Sequence, residues 1–178
     1  MSDRIPEYGN FDIPNELIEL HEWICDEFID GPFGHISTLV YPPKKTECPN
    51  CKISPSTGRS SNIYKSGGPQ PFTNHTTCPW CGGVGRQSLA QTDSIRLRTY
   101  WNPKDWTKFG IKVENPEGLV MVIGYMDDYP KLERAKEVVI DSNIAGIRRL
   151  TCKRSGEMKP WGFRQARYFV QMMDRQGR

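Results

Sequence analysis

No stretch of roughly 18 consecutive apolar residues occurs in the chain, which excludes an ordinary membrane-spanning helix. The opening residues MSDRIPEYGNFD lack the basic, then apolar, then small-residue order of a secretory signal. The expectation is a soluble protein made in a reducing cytoplasm, with no membrane partner. Catalytic signatures are missing as well: the sequence holds no GxSxG, HExxH, P-loop or GxGxxG. Its three histidines, His21, His35 and His75, fall on a helix face, at a strand start and in a cysteine-bounded loop, where structural roles fit better than catalysis. Asp127 and Asp128 are adjacent, so on a strand they would point to opposite faces, and a turn or helix cap suits them better. No catalytic residue is assigned, and the chain is not expected to be an enzyme.

Apolar content is low, and 14 prolines and 16 glycines in 178 residues call for short elements and many turns. That excludes an all-helical bundle and allows one domain with an insertion. Charge is also scarce in net terms. The formal value of +3 falls to about +1 if four thiolates hold one zinc dication, so attraction to nucleic acid would need a local basic patch.

What is present begins with IPNELIELHEWICDEFIDGPFG, where Leu17, Leu20, His21, Ile24, Cys25 and Phe28 recur at helical spacing. This predicts one amphipathic helix of about 14–16 residues, with Pro14 in its first turn, Glu16 and Glu19 at its positive end and Gly31-Pro32 as its stop. Leu17, Ile24 and Phe28 are expected to pack on the rest of the fold. The period then changes to two: GHISTLVYPP alternates Ile36, Thr38 and Val40 with Ser37, Leu39 and Tyr41. DSIRLRTYW alternates Ile95, Leu97 and Trp101 with Arg96, Arg98 and Tyr100. GLVMVIGYM is continuously apolar, as in a strand covered on both sides. EVVID, GIRRLTCKRSG and ARYFVQMMDR supply further strands, and YPKLERAK a short helix. Cys25 and Cys152 sit at apolar positions and read as core thiols. The predicted fold is mainly β, a small antiparallel β-barrel or sandwich with an N-terminal helix and an inserted zinc ribbon.

The insertion is CPNCKISPSTGRSSNIYKSGGPQPFTNHTTCPWCGGVG, residues 48–85, leaving 1–47 and 86–178 for the barrel domain. Two CxxC turns, Cys48/Cys51 and Cys78/Cys81, each aim two thiolates at one point, and together they fill a tetrahedral zinc site. Residues 52–77 are too polar to fold alone, so a metal clip would replace the missing core. Four sulfurs leave no open position, which makes one zinc per chain structural. Gly82 after Cys81 suits positive φ and close approach of backbone N–H groups to sulfur; Lys52 after Cys51 departs from that pattern. CPWC also looks like a glutaredoxin-type dithiol, but without the βαβ setting of one. CPWCGGVG fits one CxxCxGxG unit of the DnaJ zinc domain, which needs four.

Aromatic and basic residues interleave in RLRTYWNPKDWTKF and KPWGFRQARYF. Such runs form stacking platforms for single-stranded nucleic acid or subunit interfaces, and the low net charge favours the interface. Arg96, Arg98, Trp101 and Trp106 are interface candidates, as are Ile63, Tyr64 and Phe72, which a solvated loop has little reason to display.

Taken together, GHISTLVYPPK, the CPNC–SGGPQPF–CPWCGGVG insertion, DSIRLRTYWNPKDW and the closing strand ARYFVQMMDRQ resemble the head-closure or head-to-tail connector proteins of tailed-phage necks. These are small β-barrels with a long inserted loop that assemble as rings. The resemblance implies a homo-oligomeric ring between portal or adaptor and tail proteins, around packaged DNA, in the neck of the virion after synthesis in the host cytoplasm. It carries no catalytic residues. The alternative is a nucleic-acid-binding zinc-ribbon protein acting through the aromatic and basic residues above.

Overall fold

In the computed structural model of the protein, residues 13–114, 116–141, 149–163 and 167–176 are described. They form two compact units. The first holds residues up to Leu39 and from Ser94 onward; the second is Val40–Asp93, which takes in the cysteine-bounded segment and a length of strand on either side of it.

The first unit is a closed six-stranded antiparallel barrel, in the order β1-β4-β5-β8-β7-β6. Its strands are β1 (Gly34–Glu47) and β4 (Arg86–Tyr100), both of which run on into the second unit, then β5 (Leu119–Tyr125), β6 (Glu137–Ile140), β7 (Leu150–Trp161) and β8 (Tyr168–Gln176). The expected strands GIRRLTCKRSG and ARYFVQMMDR are β7 and β8; their leading residues Gly146–Arg148 and Ala166 lie outside the described residues. Among the described residues the α-helices are α1 (Asn15–Asp30), α2 (Pro103–Trp106) and α3 (Tyr129–Arg134).

β5 is buried from Val120 to Gly124, as a continuously apolar strand must be. Its two faces do different work. Met121 and Ile123 join Cys25, Ile29, Trp106, Ile111, Tyr168 and Val170 in a cluster beneath α1. Gly124 faces Leu97 and the Phe169 ring, where an added Cβ would lie 2.8 Å from both side chains. Glycine is required there because the barrel interior is already filled. β7 carries an irregularity between Ser155 and Lys159, with Gly156 at φ 70°. The buried Gln171 amide donates to the carbonyls of Ser155 (2.9 Å) and Gly156 (3.3 Å), so one interior side chain satisfies the backbone that the bulge takes out of the ladder.

The extent of α1 agrees with its periodicity, but its phase does not. Ile18, Cys25 and Ile29 are the buried residues, whereas Leu17, Ile24 and Phe28 are 55%, 38% and 38% exposed. The expectation that these last three pack on the barrel is corrected. The cause is polar. Arg167 donates to Glu22 (2.7 Å) and Asp26 (3.0 Å), Tyr168 donates to Asp26 (2.9 Å), and Tyr125 donates to Asp30 (2.7 Å). Glu22, Asp26 and Asp30 lie four apart on one helix face, and turning that face to the barrel turns the Leu17–Phe28 row outward.

β1 alternates as expected, with His35, Ser37 and Leu39 buried and Ile36 60% exposed. On β4, Ile95, Leu97 and Thr99 face inward. Trp101 lies past the strand end, half-buried, and Arg96 is exposed. Arg98 is half-buried, donating to the Phe33 carbonyl (2.8 Å) with its guanidinium over the rings of Phe28, Phe33 and Tyr100. Trp106 is 1% exposed and donates its indole N–H to the Tyr100 carbonyl at 3.0 Å, so it is a core residue and no interface candidate within this fold. Cys25 and Cys152 are buried thiols, each pushed up to about 11, first by burial. No helix among the described residues is long and apolar enough to cross a membrane.

Candidate metal centre

The second unit contains a two-stranded antiparallel hairpin, β2 (Cys51–Ile53) and β3 (Ser60–Tyr64), which starts at the first CxxC turn. The second turn returns the chain to β4. The Cys48 N–H donates to the Gly85 carbonyl at 3.0 Å, and this bond closes the neck of the loop. The left-handed Gly85 is needed there, since a Cβ would stand 2.5 Å from the Ser60 nitrogen.

These constraints bring the sulfurs of Cys48, Cys51, Cys78 and Cys81 within 4.8 Å of one another. Cys48 and Cys78 are 4.0 Å apart, and Cys51 and Cys81 are 3.7 Å apart. Four sulfurs held at about 2.3 Å from one ion stand about 3.8 Å apart along the edges of a tetrahedron, so the cluster fits a four-thiolate metal site. Cys48, Cys51 and Cys78 are at most 2% exposed.

Backbone and amide donors surround the sulfurs. The Gly85 N–H donates to Cys81 at 3.2 Å and the Asn50 N–H to Cys48 at 3.4 Å, and the Asn50 side chain donates to Cys78 at 3.6 Å. Burial raises the Cys48 and Cys51 thiols. Burial also acts upward on Cys78, but the backbone N–H groups of Cys81 and Trp80 and the Asn50 amide outweigh it and hold that thiol well below its ordinary value. Donors that favour thiolate are what a metal ligand requires. Gly82, at φ 61°, has the positive φ expected after Cys81.

Asn50 is the functional residue that the spacing of the cysteines does not reveal. It is fully buried, its Oδ1 accepts from the Gln70 N–H at 2.8 Å, and its carbonyl accepts from the Lys65 N–H at 3.1 Å. It therefore ties the far end of the loop to the sulfurs. Gly68 allows this, because a Cβ there would meet Asn50 Oδ1 at 2.7 Å. The only sequence signal was a carboxamide inside the first CxxC turn. Asn50→Ala is expected to weaken metal affinity by about 10–100-fold, measured by competition with a chromophoric chelator. Unchanged affinity would make Asn50 a loop residue only.

Phe72 packs against the cysteine cluster. Tyr64 meets it edge-on with ring centres 5.8 Å apart and donates its hydroxyl to the Gly68 carbonyl at 2.9 Å. Ile63 is half-buried in β3. These three interface candidates are thus half-buried within the unit itself, Phe72 on the cysteine cluster and Tyr64 on Phe72. His75 is exposed, at φ 71°, and stands outside the four-sulfur cluster.

No protein-family model, no curated protein and no solved structure matches this chain.

Proposed function

We propose that this protein is a structural component of a tailed-phage virion, a ring-forming connector of the neck that joins portal and tail proteins around the DNA channel, with one structural zinc per chain. The layout of strands around a cysteine-bounded insertion supports the connector reading, and four thiolates with no open ligand position support a structural ion. The observation that carries an assembly role is the outward row on α1. Leu17, Leu20, Ile24 and Phe28 follow one another at helical spacing, with Phe33 and Phe28 in ring contact at 5.7 Å. An apolar row of this length on a folded surface is an interaction site.

The occupant is a second copy of the chain. Three of the α1 carboxylates are held by Arg167, Tyr168 and Tyr125, but Glu16, Glu19 and Glu27 are exposed and the helix has no lysine or arginine, so a two-fold pairing of α1 with itself would oppose like charges. β7 exposes three cations, Lys153, Arg154 and Lys159, against one carboxylate, Glu157, on the same unit. An acidic, apolar surface meeting a basic one elsewhere on the next copy is a head-to-tail contact, the kind that closes into rings.

Replacing Leu20 and Ile24 by Glu tests this by native mass measurement. Both residues are exposed, so the barrel should fold. The parent is expected to form one closed oligomer and the variant to remain monomeric. A parent that is monomeric at about 100 µM, well above the Kd of a specific interface, removes the ring. A gene found beside portal and tail genes would support the reading independently, and one found among unrelated genes would count against it.

A further inference from the structure

The second unit holds a cleft of 670 Å³. Its walls carry Lys45, Arg59 and Arg86 with the hydroxyls of Thr57, Thr77 and Ser88, and no carboxylate lines it. All three cations are exposed, and none forms an ion pair among the described residues. Within Val40–Asp93, six lysines and arginines stand against two carboxylates, so the local charge is basic although the whole chain is nearly neutral.

The walls are placed by the elements already described. Lys45 comes from β1, Arg86 from β4, and Arg59 from the turn of the β2–β3 hairpin. The fourth wall is the backbone after Cys81, where Gly82 and Gly83 follow each other at φ 61° and 83°. A Cβ at Gly82 would meet nothing within 4 Å, so the wall is open there, while the N–H groups of Gly82 and Val84 are held by the Cys78 and Cys81 carbonyls. Valine 84 is the only large apolar residue on the walls, and no aromatic ring lines them. An apolar ligand would gain little, and a nucleobase would find nothing to stack on. Guanidinium, ammonium and hydroxyl are groups that hold phosphate oxygens.

We infer that this cleft binds successive phosphates of a nucleic-acid backbone without reading base sequence. The site differs from the aromatic stretch around Arg96–Trp106, and it stands whether or not the chain forms a ring.

The test is fluorescence anisotropy of a labelled DNA duplex of about 20 base pairs with the metal-loaded full chain, across a salt series. The Lys45→Gln, Arg59→Gln, Arg86→Gln triple variant is compared with a matched-charge control, Lys44→Gln, Lys52→Gln, Lys65→Gln, whose lysines lie off the cleft. The cleft variant is expected to lose at least about tenfold in affinity at moderate salt and to lower the salt slope by about 2–3, while the control changes little. Arg86→Gln alone should lower the slope by about 0.9, which keeps the test decisive if the triple variant folds poorly. Equal losses in both triple variants would reduce the effect to net charge and overturn the site. So would a parent that fails to bind at low salt, or full displacement of the duplex by millimolar pyrophosphate, which would mark a pocket for free polyphosphate.

Discussion

A Cys78→Ser protein is expected to bind no zinc and to lose the structure of residues 48–85, while the six-stranded barrel keeps its cooperative unfolding. The difference follows from what each unit buries. The barrel has its own apolar interior, with Leu39, Leu97, Val120, Val122, Ile140, Phe169 and Met173 all at most 1% exposed. The second unit has the cysteine cluster with Phe72 packed on it. Such a core is too small to order a segment so rich in serine, glycine and asparagine. A structural four-ligand zinc contributes about 10–16 kcal/mol of apparent binding energy near neutral pH, far more than that core can supply. Removing one ligand, or adding a strong chelator, should therefore release the loop. Metal analysis with limited proteolysis checks it: cleavage confined to residues 48–85 is the expected pattern. Global unfolding, or a metal-free protein that still resists cleavage there, would overturn this division.

The second large effect lies under α1. Trp106→Ala should cost about 3–5 kcal/mol, a substantial part of the stability of an ordinary domain. The indole is fully enclosed among Ile111, Met121, Ile123 and Tyr168, and its removal also leaves the Tyr100 carbonyl without its donor. Phe28→Ala should cost less than about 1 kcal/mol in the separate subunit, because that ring is partly in water and rests on Phe33 and Arg98. Urea unfolding of the two variants compares them directly. Equal losses would mean that the Phe28 face of α1 is as enclosed as Trp106 and is no outward row.

Much of this architecture was legible in the residues. A continuous apolar run can be buried only between neighbours, and β5 lies between β4 and β8. Two CxxC turns can share one ion only if the chain between them folds back, and the hairpin does so. The failures share a cause. The face that α1 buries depends on Arg167, Tyr168 and Tyr125, which lie far along the chain and leave no trace in the periodicity of the helix itself. Trp106 looked like a surface platform beside lysines. Its burial depends on a carbonyl acceptor from Tyr100 and on a cluster assembled from α1, β5 and β8. Asn50 was hidden because its partners, Cys78 and Gln70, come together only after the loop has closed.

The six cysteines also divide the molecule by chemical accessibility. Four form a cluster that an ion would occupy, and two, Cys25 and Cys152, are buried in the barrel unit with thiols raised to about 11, where the nucleophilic thiolate is scarce. An alkylating reagent therefore counts events of different kinds. Intact protein takes up no label, loss of the metal admits four, and only collapse of the barrel admits the last two. The number of adducts on each molecule records which part has opened, without any probe having to be introduced.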